Sequence, residues 1–437
     1  MAETPQEERI CFDSARTPHI CSTKWVDSKV EVEGEDTGFA RIQGLQWVLC
    51  RNFGLINLEE LDKNYEKDMY LAFGQTLGIL TNLVKVCGSA CSDCSTDLLF
   101  ILLQVQGFGT DSSLKQVVSG LEEVLAHAFG FSCARDLYES QADHLLTLVT
   151  AEHETWSTDS YGQALFQVLL QKIASLVGPY LKRLLPVVKG CLDPERDPSL
   201  RIKLLQLLDE LFETLELAPC WSSLATIVLG QILVPCGIWR IGKVGAAVRH
   251  AAMVALGTFL RRNLCNQSDL EHLVHSNQVL PVLLSCLEED YYVDIRIVTC
   301  HVLENLLQIC GRTLNDMQRE EIQKALQKRL DDSNDGVRLR VLPAISSFFC
   351  VMPTSYSDTS VRSFVANILV HLDDSNTELR ERVYKVLEVC ASLKPTIVED
   401  LVKNKCDEYQ TREYCDNLLA KAASSLNMGT MIALSQH

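Results

Sequence analysis

The chain has 437 residues, of which 47% are hydrophobic and 22% charged, with a formal net charge of −17. That length holds two or three ordinary domains or one long solenoid, and the apolar fraction is ample for a core. Affinity for nucleic-acid backbones and anionic membranes rests on clustered Lys and Arg, so the acidic balance disfavours both as partners.

Residues 1–40 carry nine acidic and four basic residues, with Pro5, Pro18 and no sustained period, which predicts an acidic, disordered leader. The first twelve residues lack the basic and apolar regions of a secretory signal. From Gly44 onward the apolar pattern is helical, and no segment alternates with period two long enough to claim a sheet. Helices are predicted near 66–86, 97–106, 112–129, 137–151 and 160–177, and residues 41–179 are expected to form degenerate helical repeats. Cys87, Cys91 and Cys94 have metal-like spacing, but no fourth His or Cys follows at zinc-finger distance. A loop between helices suits them better, with Cys94-Ser-Thr-Asp97 opening the next helix.

The pattern becomes regular near Tyr180. A first helix runs through Leu184, Leu185, Val187 and Val188, with Pro186 bending or starting it. Asp193-Pro-Glu-Arg-Asp-Pro-Ser199 is a turn, since Asp and Ser cap helices and proline suits a first helical turn. A second helix starts at Ser199 or Leu200 and places Ile202, Leu204, Leu205, Leu208, Leu211, Phe212 and Leu215 on one face. The arrangement recurs. Arg329-Leu-Asp-Asp-Ser-Asn-Asp-Gly-Val-Arg338 parallels His371-Leu-Asp-Asp-Ser-Asn-Thr-Glu-Leu-Arg380, and an aliphatic-Arg pair opens helices at Arg201, Arg249, Arg296, Arg338 and Arg380. Their intervals are 48, 47, 42 and 42 residues, and Leu114-Lys115 stands two further periods upstream. Two helices per forty-odd residues is the HEAT/armadillo pattern. The predicted fold is therefore all-α, a right-handed HEAT/armadillo-type α-solenoid of stacked helical hairpins with second helices lining a concave face. Residues 180–395 supply five recognisable repeats and residues 396–437 the C-terminal capping helices and tail.

The turn aspartates Asp193, Asp331 and Asp373 and the arginines Arg201, Arg249, Arg296, Arg338 and Arg380 are expected to form a structural ladder within and between repeats, rather than a row of binding arginines. Polar positions on second helices, Lys203, Gln206, Arg340, Glu381 and Lys385, are the candidates for partner contact. Gly237-Ile-Trp-Arg-Ile-Gly-Lys-Val244 matches a phosphate-binding loop except at its end, where Val replaces the Ser or Thr that holds magnesium, and its interior is bulky. It is expected to be an inter-helix loop. His272 and His275 are expected on a helix surface, and Asp209-Glu210 and Glu288-Glu289-Asp290 on solvated faces or turns. No catalytic signature occurs, so no enzyme activity, metal or cofactor is expected. The longest apolar run, Leu224–Trp239, holds Gln231 and Pro235 and is too short to span a bilayer. The eighteen cysteines are scattered through apolar helices, which points to packed free thiols in a reducing compartment.

Several segments resemble the C-terminal half, or a short isoform, of a HEAT-repeat axonemal dynein assembly factor. They are Val234 to Arg249 with its Trp-Arg-Ile-Gly turn, Leu283 to Asp290, Arg329 to Asp332, Leu369 to Asp374 and Glu413-Tyr-Cys-Asp-Asn-Leu-Leu419. The resemblance covers about residues 180–420, and residues 1–40 match nothing in that family. It implies a non-catalytic cytoplasmic scaffold for preassembly of dynein arms of motile cilia. Axonemal dynein chains, other assembly factors and chaperones would be its partners. The repeats alone also admit a general HEAT adaptor, such as a chaperone cofactor or a transport-receptor-like module.

Overall fold

The computed structural model describes residues 63–108, 112–158, 160–289, 291–406 and 412–435; the expected leader lies outside them. Every regular element among the described residues is helical. These residues form two compact units: those up to Ala151 with Ala164–Ile173, and Glu152–Gln163 with Ala174 onward.

In the first unit, α1 (Lys63–Cys87), α2 (Ser95–Phe108), α3 (Ser112–Ala128) and α4 (Ala134–Thr150) pack α1 on α3, α2 on α3 and α4, and α3 on α4. Leu77, Leu80, Leu99, Leu102, Leu121 and Leu125 are buried among them. Glu122 is buried too, and it accepts hydrogen bonds from Gln106 Nε2 at 2.9 Å, Tyr138 Oη at 2.7 Å and Lys172 Nζ at 2.7 Å. Three donors around one carboxylate offset its loss of water. Lys172 ends α5 (Tyr161–Lys172).

The second unit is two parallel rows of helices. One row comprises α6 (Leu181–Cys191), α8 (Ala218–Ile227), α10 (Gln267–His275) with α11 (Leu280–Leu287), α13 (Asp316–Leu330), α15 (Asp358–Val370) and α17 (Pro395–Lys405). The other comprises α7 (Pro198–Phe212), α9 (Lys243–Arg261), α12 (Val293–Cys310), α14 (Asp335–Val351), α16 (Thr377–Leu393) and α18 (Arg412–Ser435). Within the second row each helix packs on the next, and each later first-row helix also packs on its own second-row partner. Ile295, Leu303, Leu306, Val341, Ile345, Val383 and Leu387 line the buried seam. Phe212 meets Trp221 and Phe259 edge-on with centroids 4.9 Å apart, and Phe349 stacks on Phe364 at 5.2 Å.

Local chemistry sets the helix ends. Asp197 caps α7 by accepting from Ser199 N at 2.9 Å, with Pro198 inside the first turn. Asn315 and Gln318 form a reciprocal capping box at α13, and Asn334 and Asn376 cap α14 and α16. Pro186 sits inside α6 rather than starting it. The apolar face predicted through Leu215 stops early: α7 ends at Phe212, Thr214 turns the chain, and Leu215 is 71% exposed. The apolar helical run is longer than its sequence reading. Leu215–Cys236, counting a π-helical segment at Val228–Leu233, is long and apolar enough to cross a membrane by length and composition. Half of it is buried within the protein, where Trp221, Val228, Leu229 and Leu233 pack as core.

Candidate interaction surface

Buried arginines organise the turns between paired helices. Arg296 opens α12 and donates from Nε and Nη2 to the two oxygens of Asp332, each at 2.9 Å, and from Nη1 to Glu289 O at 2.6 Å. Arg338 opens α14 and donates from Nη2 to one oxygen of Asp374, while its Nε bonds Leu330 O at 3.1 Å. Arg249 opens α9, pairs with Glu289 and donates to Arg240 O at 3.3 Å. Each of these three arginines thus reaches back to its own turn and forward to a carboxylate of the following turn. Burial alone would raise the carboxyls of Asp332 and Asp374, but their arginine bonds hold both below the usual carboxylate range.

The structure places the remaining ladder residues differently. Asp193 accepts from Glu195 N at 2.9 Å within its turn. Asp331 is exposed and meets His371 Nε2 at 3.3 Å. Asp373, in the matching position, is also exposed, whereas Arg380 donates to the carbonyls of Asp374 and Ser375. Arg201 is buried against Cys236. Glu289, read in sequence as solvated, is 8% exposed and paired; the reach of Arg249 from the preceding hairpin is what buries it. Asp209 is partly buried, and burial raises its pKa against a hydrogen bond from Thr258.

Of the five polar positions singled out for partners, Gln206, Glu381 and Lys385 are exposed. Lys203 instead donates to Thr158 O at 2.9 Å, and Arg340 is held by His301 and by Glu304 at 3.1 Å. The bond to His301 and the charge of Arg340 keep the Glu304 carboxyl low.

Among the described residues, no group of three or more His, Cys, Asp or Glu side chains is placed to hold a metal ion. Cys87 ends α1 and Cys94 ends the short 3-10 turn before α2, where burial, Asp97 and Asp93 raise its thiol pKa. His275 on α10 is exposed and bonds Glu271 O at 2.7 Å through Nδ1. The Gly237–Val244 segment is a loop through Gly242 and the first two residues of α9, with Gly242 at φ +94° where a side chain would be strained. Its exposed Ile238, Trp239, Ile241 and Val244 were not anticipated from sequence. Apolar residues on a turn without a carboxylate were the available signal.

The hairpin rows and the arginine rungs define a HEAT/armadillo-type α-solenoid protein. No family model matches the chain. Its sequence is similar to Dynein axonemal assembly factor 5. It is 27% identical to the Homo sapiens protein over 362 residues, 81% of this chain and 42% of that one. It is 26% identical to the Xenopus laevis protein over 379 residues, 85% of this chain and 45% of that one. The chain therefore spans less than half the length of these relatives. Similar solved structures include a designed armadillo repeat protein, with TM-score 0.40 and 15% identity over 55% of this chain and 99% of that one. The karyopherin Kap121p bound to the SUMO protease Ulp1p aligns with TM-score 0.48 and 12% identity over 90% of this chain and 43% of that one.

Proposed function

We propose that this protein is a non-catalytic scaffold for cytoplasmic preassembly of axonemal dynein arms. Similarity across 81–85% of the chain to proteins named as dynein axonemal assembly factors carries the reading. The described structure is compatible with it: a row of second helices exposes Gln206, Glu381 and Lys385, and buried Arg296 and Asp332 are occupied with each other. Long helical rows of this kind offer extended surfaces to protein partners instead of a closed pocket. We further infer that residues 41–179 are degenerate repeats, 180–395 five HEAT units and 396–437 a C-terminal cap. The partners would be axonemal dynein chains, other assembly factors and chaperones.

Affinity purification of the tagged chain from cells growing motile cilia tests the proposal. Recovery of dynein heavy or intermediate chains with assembly factors is the expected result. Recovery of none of them, or of the same partner set from cells without cilia, points instead to a general adaptor.

A further inference from the structure

Among the described residues, one rung of the arginine ladder lacks its acid. Arg249, Arg296 and Arg338 take Glu289, Asp332 and Asp374 from the turn that follows each of them. The turn following Arg201 is Gly237–Lys243, and no Asp or Glu occurs anywhere between Glu216 and Asp269. Arg240, Lys243, Arg249, Arg261 and Arg262 all fall inside that interval. Arg201 is 4% exposed, its Nε, like that of Arg249, has no hydrogen-bond partner among the described residues, and the side chain it meets just before the turn is the thiol of Cys236. A buried guanidinium beside a neutral thiol leaves positive charge uncompensated, in a protein that is acidic elsewhere.

The same turn exposes apolar side chains. Ile241 is 86% exposed, Trp239 56%, and Ile238 and Val244 are similarly open. The Arg249 guanidinium lies 5.9 Å from the Trp239 ring centroid and pairs with Glu289, two residues before Tyr291, which is 90% exposed. The turn is held close to the helix it precedes: a Cβ on Gly245 would come within 2.7 Å of Arg240 O. No side chain caps α9 at Gly242, so the positive end of that helix adds to the local field. Among the described residues Arg240 forms one ion pair, with exposed Glu195 at 3.8 Å, a solvent-screened contact that an incoming carboxylate can displace.

We propose that the Gly237–Val244 turn is a docking site for an acidic segment of a partner protein in which apolar side chains flank the carboxylates. The site rests on the scaffold reading above and gives it a location. Carboxylates meet Arg240 and Lys243 over the uncompensated Arg201, and apolar groups cover Trp239 and Ile241. Charge selects the occupant, because a neutral or basic segment would leave the positive turn as it is.

Fluorescence anisotropy with the full chain tests this, using a labelled probe peptide of alternating Asp/Glu and Leu and its Asn/Gln counterpart. The acidic probe binds with micromolar affinity, and the amide probe binds about tenfold more weakly or less. The double variant Arg240→Glu, Lys243→Glu and the single variant Trp239→Ala each weaken the acidic probe by about tenfold while circular dichroism and Tm stay unchanged. Equal binding of the two probes, or full binding by the charge-reversed variant, overturns the site. So does a preference for phosphatidylserine vesicles over the peptide. If that variant still recovers dynein chains from ciliating cells as fully as the native protein, the docking site falls and the scaffold reading stands. If the probe binds as described while the native chain recovers none, the scaffold reading falls alone.

Discussion

Arg296 and Asp332 form a two-pronged ion pair between consecutive hairpins, each N–O separation 2.9 Å and both side chains buried. Asp332 also accepts from Arg329 at 2.9 Å, so one carboxylate neutralises two buried guanidinium groups. Removing one partner of such a cluster costs far more than the intact cluster contributes, because the remaining charges stay buried. Asp332→Ala is therefore expected to lose about 3–5 kcal/mol in urea unfolding. Asp331→Ala, on an exposed neighbour, is expected to lose no more than about 1 kcal/mol.

Acid should weaken the fold in two stages. Burial, reinforced by Arg338, lowers the pKa of His371 against the opposing pull of Asp331 and Asp374. A folded value below the ordinary imidazole pKa of about 6.5 means the unfolded chain takes the proton first. That contribution is complete above about pH 6.5 and is lost as pH falls through the folded value. Asp332 and Asp374 also have lowered values, so theirs is present above about pH 4 and is lost in stronger acid. Melting temperature measured against pH should show both declines, and His371→Gln should flatten the upper one alone.

The periodic arginines were legible because Arg201, Arg296, Arg338 and Arg380 are each the fourth residue of their helix, with Arg249 one turn deeper, and the 3.6-residue period makes helix starts visible. Which carboxylate answers each arginine was not. Two adjacent aspartates, Asp331 and Asp332, differ by one position in a turn, and only the path of that turn sends Asp332 inward and Asp331 to His371. Glu289 was harder still, since its partner Arg249 lies forty residues away on the preceding hairpin. Lys203 and Arg340 looked like open surface because helical spacing places them on the polar face. Their long side chains bend to Thr158 and Glu304 on the neighbouring repeat, a reach that no local pattern encodes.

The seam between rows makes each hairpin depend on its neighbours. Leu342 and Val383 sit in the seam, both essentially unexposed, on α14 and α16. Replacing either with Asp places an unpaired carboxylate where no partner is available. Loss of helical circular dichroism and a broadened, lowered melt should extend beyond the substituted helix, because stacked repeats share their stability. Hydrogen exchange would map that spread, with amides of α12 to α16 losing protection together.

Thiol chemistry should separate packing from accessibility. Burial pushes Cys286, Cys300 and Cys310 up to about 12, so their reactive thiolate forms are scarce near neutral pH. Cys350 on α14 is exposed. Brief iodoacetamide treatment of the native protein, read by mass spectrometry, should label Cys350 well before these three. Mild urea should then bring Cys300 and Cys310 into reaction together, as α12 opens.

Substituting the arginines themselves distinguishes the incomplete rung from the complete ones. Arg249→Met removes the cation that neutralises Glu289 and leaves that carboxylate buried alone, so a loss of about 3–5 kcal/mol is expected. Arg201→Met removes a buried charge that has no acid to abandon, and methionine fills much of the same volume with an adaptable apolar chain. The free chain should therefore melt at an equal or higher temperature after Arg201→Met, whereas Arg249→Met melts lower. A buried cation kept at a stability cost is explicable if a partner's carboxylate arrives later. The same Arg201→Met protein should then bind the acidic probe more weakly although its fold is no less stable. Lower stability of Arg201→Met, comparable with that of Arg249→Met, would mean that the rung is complete by some other route and that the positive turn has no unmet charge to offer.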